Sequence, residues 1–453
     1  MKAVLKKTML AASCVVAFGG MGSSVQAADW LMIQGAEPHG SAGRAKVWGF
    51  IQAQYQKDNS DPNAAGDYAP PKLIGPDLDS QSAFNINRAR IGVRGTGMPI
   101  DPNVNYFLLV EFGNNAITNP GGAFAHVTDA SITLNHLKDI VRVRGGMFKV
   151  PMAEELYQGI ALFDYVNFTE GTNQLLLERL PNRSYTDSDP VGGGGNINLN
   201  VQPTASLNGY TKPVAAGRDT GVQLFNSLKV APSLELGYSL MVGNGNGIEG
   251  SDNDDNKDVN FYLSLTKIFG GAGPRRQDWK TFVWYLNGKR SVDGNNDGVY
   301  EEYDRKRWGI GTKYYKLPFR VTAEYIKAEG MIFQGPHKPT FILADAADTN
   351  PAHPTSGLGS NAEATAWYIE GGWMIPGTKW ELDLRYAEYD RMEGTPVEAN
   401  FENLTYGFQY HFNKKTRMAV NVENRDYSSG NAGLTANLKD VDKRISLQLT
   451  HIF

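Results

Sequence analysis

Cysteine is nearly absent from this chain. The single Cys14 lies within an N-terminal stretch that carries Lys2, Lys6 and Lys7, an apolar run from Met9 to about Phe18, and small residues ending in Val25-Gln26-Ala27. That order reads as a secretory signal, residues 1–27, with cleavage expected after Ala27. The remainder has no cysteine, which excludes disulfides, thiolate metal ligands and covalently attached haem. Long apolar runs are missing too. A spanning helix needs about 20 apolar residues, and neither the signal nor any later stretch supplies them. The seven histidines are scattered. No H-E-x-x-H, G-x-S-x-G or P-loop occurs, so no motif points to an enzyme. Basic charge is not in excess: the formal net charge is −4. Without the signal it falls to about −7, which disfavours nucleic acid as a partner.

What is abundant is the material of turns and strands. Fifty glycines, 21 tyrosines and 20 phenylalanines suit a turn-rich β protein better than a helical one. The chain alternates between apolar and polar residues with period two. Leu234, Leu236, Tyr238, Leu240 and Val242 are separated by Glu235, Gly237 and Ser239. Leu404, Tyr406, Phe408, Tyr410 and Phe412 repeat the pattern. Sixteen such segments follow one another, near 44–56, 84–97, 103–113, 126–137, 140–150, 217–228, 233–243, 258–269, 279–290, 305–316, 319–330, 363–375, 378–390, 401–413, 415–427 and 440–453. Most are long enough to cross a bilayer as tilted strands, which takes ~9–11 residues.

The connections between them alternate long and short. Long ones such as 57–83, 114–125 and 331–362 take turns with short ones such as 98–102, 138–139 and 317–318. Short periplasmic turns and long outer loops are the asymmetry of an outer-membrane barrel. The reading is therefore all-β: a 16-stranded antiparallel transmembrane β-barrel over 44–453, preceded by a periplasmic N-terminal segment, 28–43. Trp308, Tyr314, Trp367, Trp373, His451 and Phe453 fall on the apolar face near strand ends, where amphipathic rings favour the membrane interface. The last strand ends in Phe453, which resembles the signal read by the barrel-assembly machinery.

With the apolar face given to lipid, charges should point into the lumen, because a charge on the lipid face costs up to ~2–4 kcal/mol at mid-depth. Parity then sends Arg88, Arg90, Arg94, Arg142, Arg144, Lys289, Arg307, Lys313, Arg320, Arg385, Arg417, Arg425 and Arg444 inward. Lys149 has the opposite parity, and a bulge at Gly145-Gly146 is the expected correction. Inward acids are fewer: Glu111, Asp129, Asp219, Glu235, Glu324, Glu370, Glu381, Asp383 and Glu423. Rings of Arg and Lys favour anions in a pore, so a basic lumen is expected to lean that way.

The connection 151–216 is far longer than the others. A loop of that length needs a reason. Its apolar pieces, Ile160-Ala161-Leu162-Phe163 and Leu175-Leu176-Leu177, would be unfavourable in water, and folding inward to narrow the barrel hides them. Glu154, Asp164, Glu170, Glu178, Arg179 and Arg183 are the candidate charges of that constriction. One further motif is Asp293, Asn295, Asp297 and Gly298, followed by Glu301 and Asp304. Its spacing matches a calcium loop, although a polar turn is the simpler reading.

The stretch Asn87-Arg88-Ala89-Arg90-Ile91-Gly92-Val93-Arg94-Gly95-Thr96 resembles a hallmark strand of the phosphate-selective porin O and P family. So does Arg144-Gly145-Gly146-Met147-Phe148-Lys149-Val150-Pro151-Met152-Ala153-Glu154-Glu155-Leu156, which is similar to the family's passage into loop three. Arg218-Asp219-Thr220-Gly221-Val222 resembles its next strand. The resemblance implies a homotrimer of sixteen-stranded barrels, each with an arginine ladder and a constricting third loop. It implies passive passage of small hydrophilic solutes, anions such as phosphate among them, with lipid around the wall and no cofactor. The lysine- and arginine-rich constriction of phosphate-selective members is not matched, since the candidate bases Lys149, Arg179 and Arg183 stand beside four candidate acids. The alternative is a barrel that sheathes a multihaem cytochrome, and it requires an open lumen.

Overall fold

Alternation of period two becomes a closed wall in a computed structural model of the chain. The structure describes residues 45–60, 82–97, 100–115, 117–119, 124–178, 190–191, 195–196, 217–248, 252, 255–271, 275–292, 301–332, 362–394, 398–430 and 441–453. The expected signal, 1–27, and N-terminal segment, 28–43, lie outside them.

Sixteen strands form the barrel: β1 (Lys46–Asp58), β2 (Ser82–Gly97), β3 (Asp101–Glu111), β4 (His126–Leu134), β5 (Arg142–Lys149), β6 (Arg218–Ala231), β7 (Leu234–Gly243), β8 (Asp258–Gly270), β9 (Gln277–Val292), β10 (Glu301–Lys316), β11 (Phe319–Glu329), β12 (Glu363–Met374), β13 (Trp380–Arg391), β14 (Ala399–His411), β15 (Thr416–Ser428) and β16 (Arg444–Ile452). Each pairs antiparallel with its sequence neighbours, and β1 closes on β16 with Phe50 opposite Ile452. Closure leaves no unpaired edge, which a strand in lipid could not tolerate. No helix among the described residues is long and apolar enough to cross a membrane. The expected sixteen segments are these strands, with ends shifted by a few residues.

The outward face is aliphatic and aromatic. Leu263, Leu265, Leu382, Leu384, Leu447 and Leu449 are all exposed there, as are Trp308, Trp367, Trp373 and Phe453. The inward face is mixed. It carries arginines and carboxylates but also Phe50, Phe148, Phe225, Tyr262, Phe282, Trp284, Tyr389 and Phe401. These rings meet Val150, Met152, Leu156, Ile160, Phe163, Phe168 and Leu175–Leu177 of the third loop in one buried apolar cluster. A barrel wall normally has no core, and here the loop supplies one.

The apolar inner face explains one misplaced residue. On β9 both faces are apolar, with Phe282, Trp284 and Leu286 inside and Val283 and Tyr285 outside. Alternation therefore gives no direction. Lys289 shares the outward parity and is exposed, paired to Glu302 at 3.2 Å, not inward as parity reading from the sequence suggests. Two glycines make room for the inner rings. A Cβ on Gly309 would sit 2.5 Å from Trp284 Nε1, and one on Gly311 2.4 Å from Phe282 Cζ.

The expected bulge at Gly145-Gly146 is absent. The pairing of β5 with β4 and β6 runs through both glycines without a shift. Lys149 turns inward for a different reason: it is the last residue of β5, where the chain leaves the wall for the loop.

Candidate functional site

Loop three leaves β5 and turns at once into the barrel. Glu154–Tyr157 forms one helical turn, Ile160–Leu162 a tighter one and Gly171–Leu176 a wider one. A two-residue pairing of Pro190–Val191 with Gly195–Asn196 follows within the same connection. Residues 150–178 are almost entirely buried.

Its backbone and acids are fixed to the wall at many points. Glu154 accepts from Lys280 Nζ at 2.5 Å and Lys313 Nζ at 2.9 Å, while its own N–H donates to Glu324 Oε2 at 3.0 Å. Burial alone would raise the Glu154 carboxyl, but the two ammoniums outweigh it and bring it down to about 2. Glu155 accepts from Arg385 at 3.2 Å. Asp164 lies among Arg275 (2.9 Å), Arg417 (3.3 Å) and Arg320 (3.6 Å). There too burial opposes ionisation, and the guanidiniums hold the carboxyl well below the usual carboxylate range. Glu170 accepts from Tyr427 Oη at 2.7 Å, and Glu178 from Arg305 and Arg307. Neutral groups add to this. Tyr165 Oη donates to the carbonyls of Gly371 and Leu384, and Asn167 bridges Gln56, Glu423 and Ser446.

These anchors fall on β1, β9 to β13, β15 and β16, and on Arg275 in the turn before β9. The other side of the lumen, β2 to β6, keeps a different character. Arg88 donates to Gln52 Oε1 at 3.0 Å, and Arg90 pairs with Glu111 at 2.7 Å. Arg94 is buried on the same strand. Arg142 donates to Asn226 and Asn135. Arg144 donates to Gln223 and stacks over Phe225 at 4.4 Å. Lys149 donates to the carbonyls of Leu156 and Gln158. Arg218 pairs with Asp129 at 3.3 Å. On these five strands seven basic residues are buried against three acids: Glu111, Asp129 and Asp219. On the remaining wall and loop the buried described residues number nine basic and thirteen acidic. Among the described residues the interior is thus balanced, and the basic excess read from strand parity is cancelled by the acids the loop brings. What survives is a transverse asymmetry. It is also a covered one, since Arg88 and Arg90 are each only 2 % exposed.

Of the ladder residues expected from the sequence, Lys313, Arg320, Arg385 and Arg417 sit on the opposite wall and are bound to loop acids or to Glu381 and Asp383. Arg179 and Arg183 lie outside the described residues. So do Asp293, Asn295 and Asp297. Among the described residues no group of three or more His, Cys, Asp or Glu converges as for a metal ion. Sequence reasoning missed Arg305 and Arg391, which carry the inward parity of Arg307 and Arg385 to the limits of the expected strands and beyond. It missed Lys280 and Arg276 as well, because β9 offers no alternation and Arg276 sits in a turn.

The profile of the phosphate-selective porin O and P family matches residues 63–449. The chain belongs to that family. No curated protein sequence gives a significant match to this porin. Among solved structures, Salmonella typhi OmpF in complex with daunomycin is 14 % identical, with a TM-score of 0.53 over 90 % of this chain and 97 % of that one. The outer membrane channel DcaP of Acinetobacter baumannii is 13 % identical, with a TM-score of 0.49 over 90 % and 97 %. OmpT of Vibrio cholerae in its trimer form is 14 % identical, with a TM-score of 0.48 over 91 % and 100 %. The likeness to OmpF is one of fold. This porin is an outer-membrane β-barrel channel protein.

Proposed function

We propose that this porin is a narrow passive channel whose path runs between the basic β2–β6 wall and loop three, and that it favours small anions. The observation that carries the reading is the transverse asymmetry: seven buried basic residues against three acids on the β2–β6 wall, facing a loop whose acids are paired to the other side. Fixed cations lower the energy of an anion in a low-dielectric passage and raise that of a cation. Phosphate and other oxyanions fit this chemistry, because guanidinium forks bind them through paired N–H groups. Export through a signal cleaved after Ala27 and assembly as a homotrimer are part of the same proposal, and no catalytic step is assigned.

The cytochrome sheath needs an empty lumen. Loop three occupies it with a buried apolar cluster, so that reading loses its premise.

The test is Arg88→Ala together with Arg90→Ala, measured as the reversal potential in a planar bilayer under a potassium chloride gradient. The double variant should move towards cations. An unchanged potential would remove both residues from the permeation path.

A further inference from the structure

The lipid-facing wall has a dent that its sequence pattern explains. Hydrogen-bond register aligns Leu265, Thr281, Thr312, Ala323 and Ile369 in one row across β8 to β12. All five have outward parity. The ends are large, with Leu265 44 % and Ile369 49 % exposed. The three in the middle are small. In the next row towards the long loops, Val283, Ile310 and Tyr325 are large. The result is an open groove of about 930 Å³ on the outside of the barrel. That lies within the range of roughly 300–1,000 Å³ typical of small-molecule sites. The Thr312 hydroxyl on its floor is satisfied by the wall itself: it accepts from Trp279 Nε1 at 2.8 Å and donates to the Lys280 carbonyl at 3.2 Å.

A groove at this depth faces hydrocarbon, and leaving it unfilled forfeits dispersion contacts along its floor. The rim below it, at the short-turn end, has a distinct charge. Lys267 and Lys316 point outward there, Lys267 donating to Ser233 Oγ at 2.7 Å and Lys316 lying over the Phe269 ring at 5.3 Å. Lys267, Trp279 and Tyr314 form the next row below the groove, and Lys316 lies two residues further from it along β10. Among the described residues at that end of β7 to β11 no acid faces outward; Glu235 and Asp278 are both buried. An apolar groove above, and below it two cations with no opposing acid set among interfacial aromatics, match one molecule: acyl chain in the groove, anionic headgroup at the rim.

We propose that this groove is a specific phospholipid site, which holds an acyl chain of an anionic lipid of the periplasmic leaflet with its phosphate against Lys267 and Lys316. The short turns face the periplasm in such barrels, which fixes the leaflet. Annular lipid would cover any face of the barrel, so the claim is of preference and of place.

The test is native mass spectrometry of the delipidated porin titrated with phosphatidylglycerol or with phosphatidylcholine. The wild type should bind phosphatidylglycerol more tightly. Lys267→Ala with Lys316→Ala should remove that preference. Ala323→Phe fills the floor and should weaken both lipids by about tenfold, the worth of one or two buried methylenes. If that variant does not fold, as judged by its gel mobility with and without heating, Thr312→Leu carries the same test at the neighbouring position. Equal binding of the two lipids by the wild type, or binding unchanged in the lysine and groove variants, would overturn the proposal. So would a groove variant that changes the oligomeric state and leaves lipid binding intact, since a second copy would then be the occupant.

Discussion

Glu154→Gln should loosen loop three without touching the wall. The carboxylate joins two cations on adjacent strands, Lys280 on β9 and Lys313 on β10, at the first helical turn of the loop. Docking brings its carboxyl from an ordinary 4.5 down to about 2. At 1.36 kcal/mol per tenfold, that difference stabilises the docked loop by about 3 kcal/mol. Because the docked value lies below the undocked one, the stabilisation is complete above the ordinary 4.5 and is lost as the pH falls from there towards 2. Glutamine keeps the shape and can still accept a hydrogen bond, so part of the loss is recovered. A cost of about 2–3 kcal/mol remains, a shift of roughly 30- to 160-fold in the docked population. Single-channel recording reads it directly. At pH 7 the variant should visit a larger conductance that the wild type reaches only in strong acid. Identical traces from the two proteins at pH 7, with the wild type unchanged on acidification to about pH 3, would refute the latch.

Other outcomes follow from the same anchors. Asp164→Asn removes the one carboxylate shared by Arg275, Arg320 and Arg417. Breaking such a buried set costs about 3–5 kcal/mol, and the freed positive charge should push the reversal potential further towards anions; a shift towards cations would contradict the reading of Asp164 as the carboxylate that neutralises these guanidiniums. Gly309→Val drives a side chain into the Trp284 indole, whose Nε1 donates to Glu324 at 2.8 Å. Overpacking there should cost about 1–3 kcal/mol and lower the temperature at which the barrel loses its folded gel mobility, with Gly309→Ala in between; a wild-type midpoint for the valine variant would mean that the ring moves freely.

The barrel was legible because lipid imposes period two on one face and each short turn resets the pattern. Strands β7 and β16 show this plainly. Leu240 and Val242 on the first, and Ile445, Leu447 and Leu449 on the second, are all exposed at alternate positions. Legibility failed where the lumen stopped being polar. On β9 the inner face became Phe282, Trp284 and Leu286 because loop three needed an apolar surface to pack on, and Lys289 was misdirected as a result. The anchors of the loop were hidden for another reason. Glu154 meets Lys313 across 159 positions, and Asn167 meets Ser446 across 279. No local spacing records such a pair. The acids themselves were identifiable as candidates, since buried carboxylates in a long loop need partners, but which arginine answers which acid is a property of the closed barrel.

The central claim is that a loop-filled barrel still conducts, along its basic wall. Wild-type porin in a planar bilayer, under a potassium chloride gradient, tests it most directly. The account predicts small unitary conductances with a reversal potential on the anion side. A correctly folded barrel that passes no current, or one that prefers cations, would contradict it.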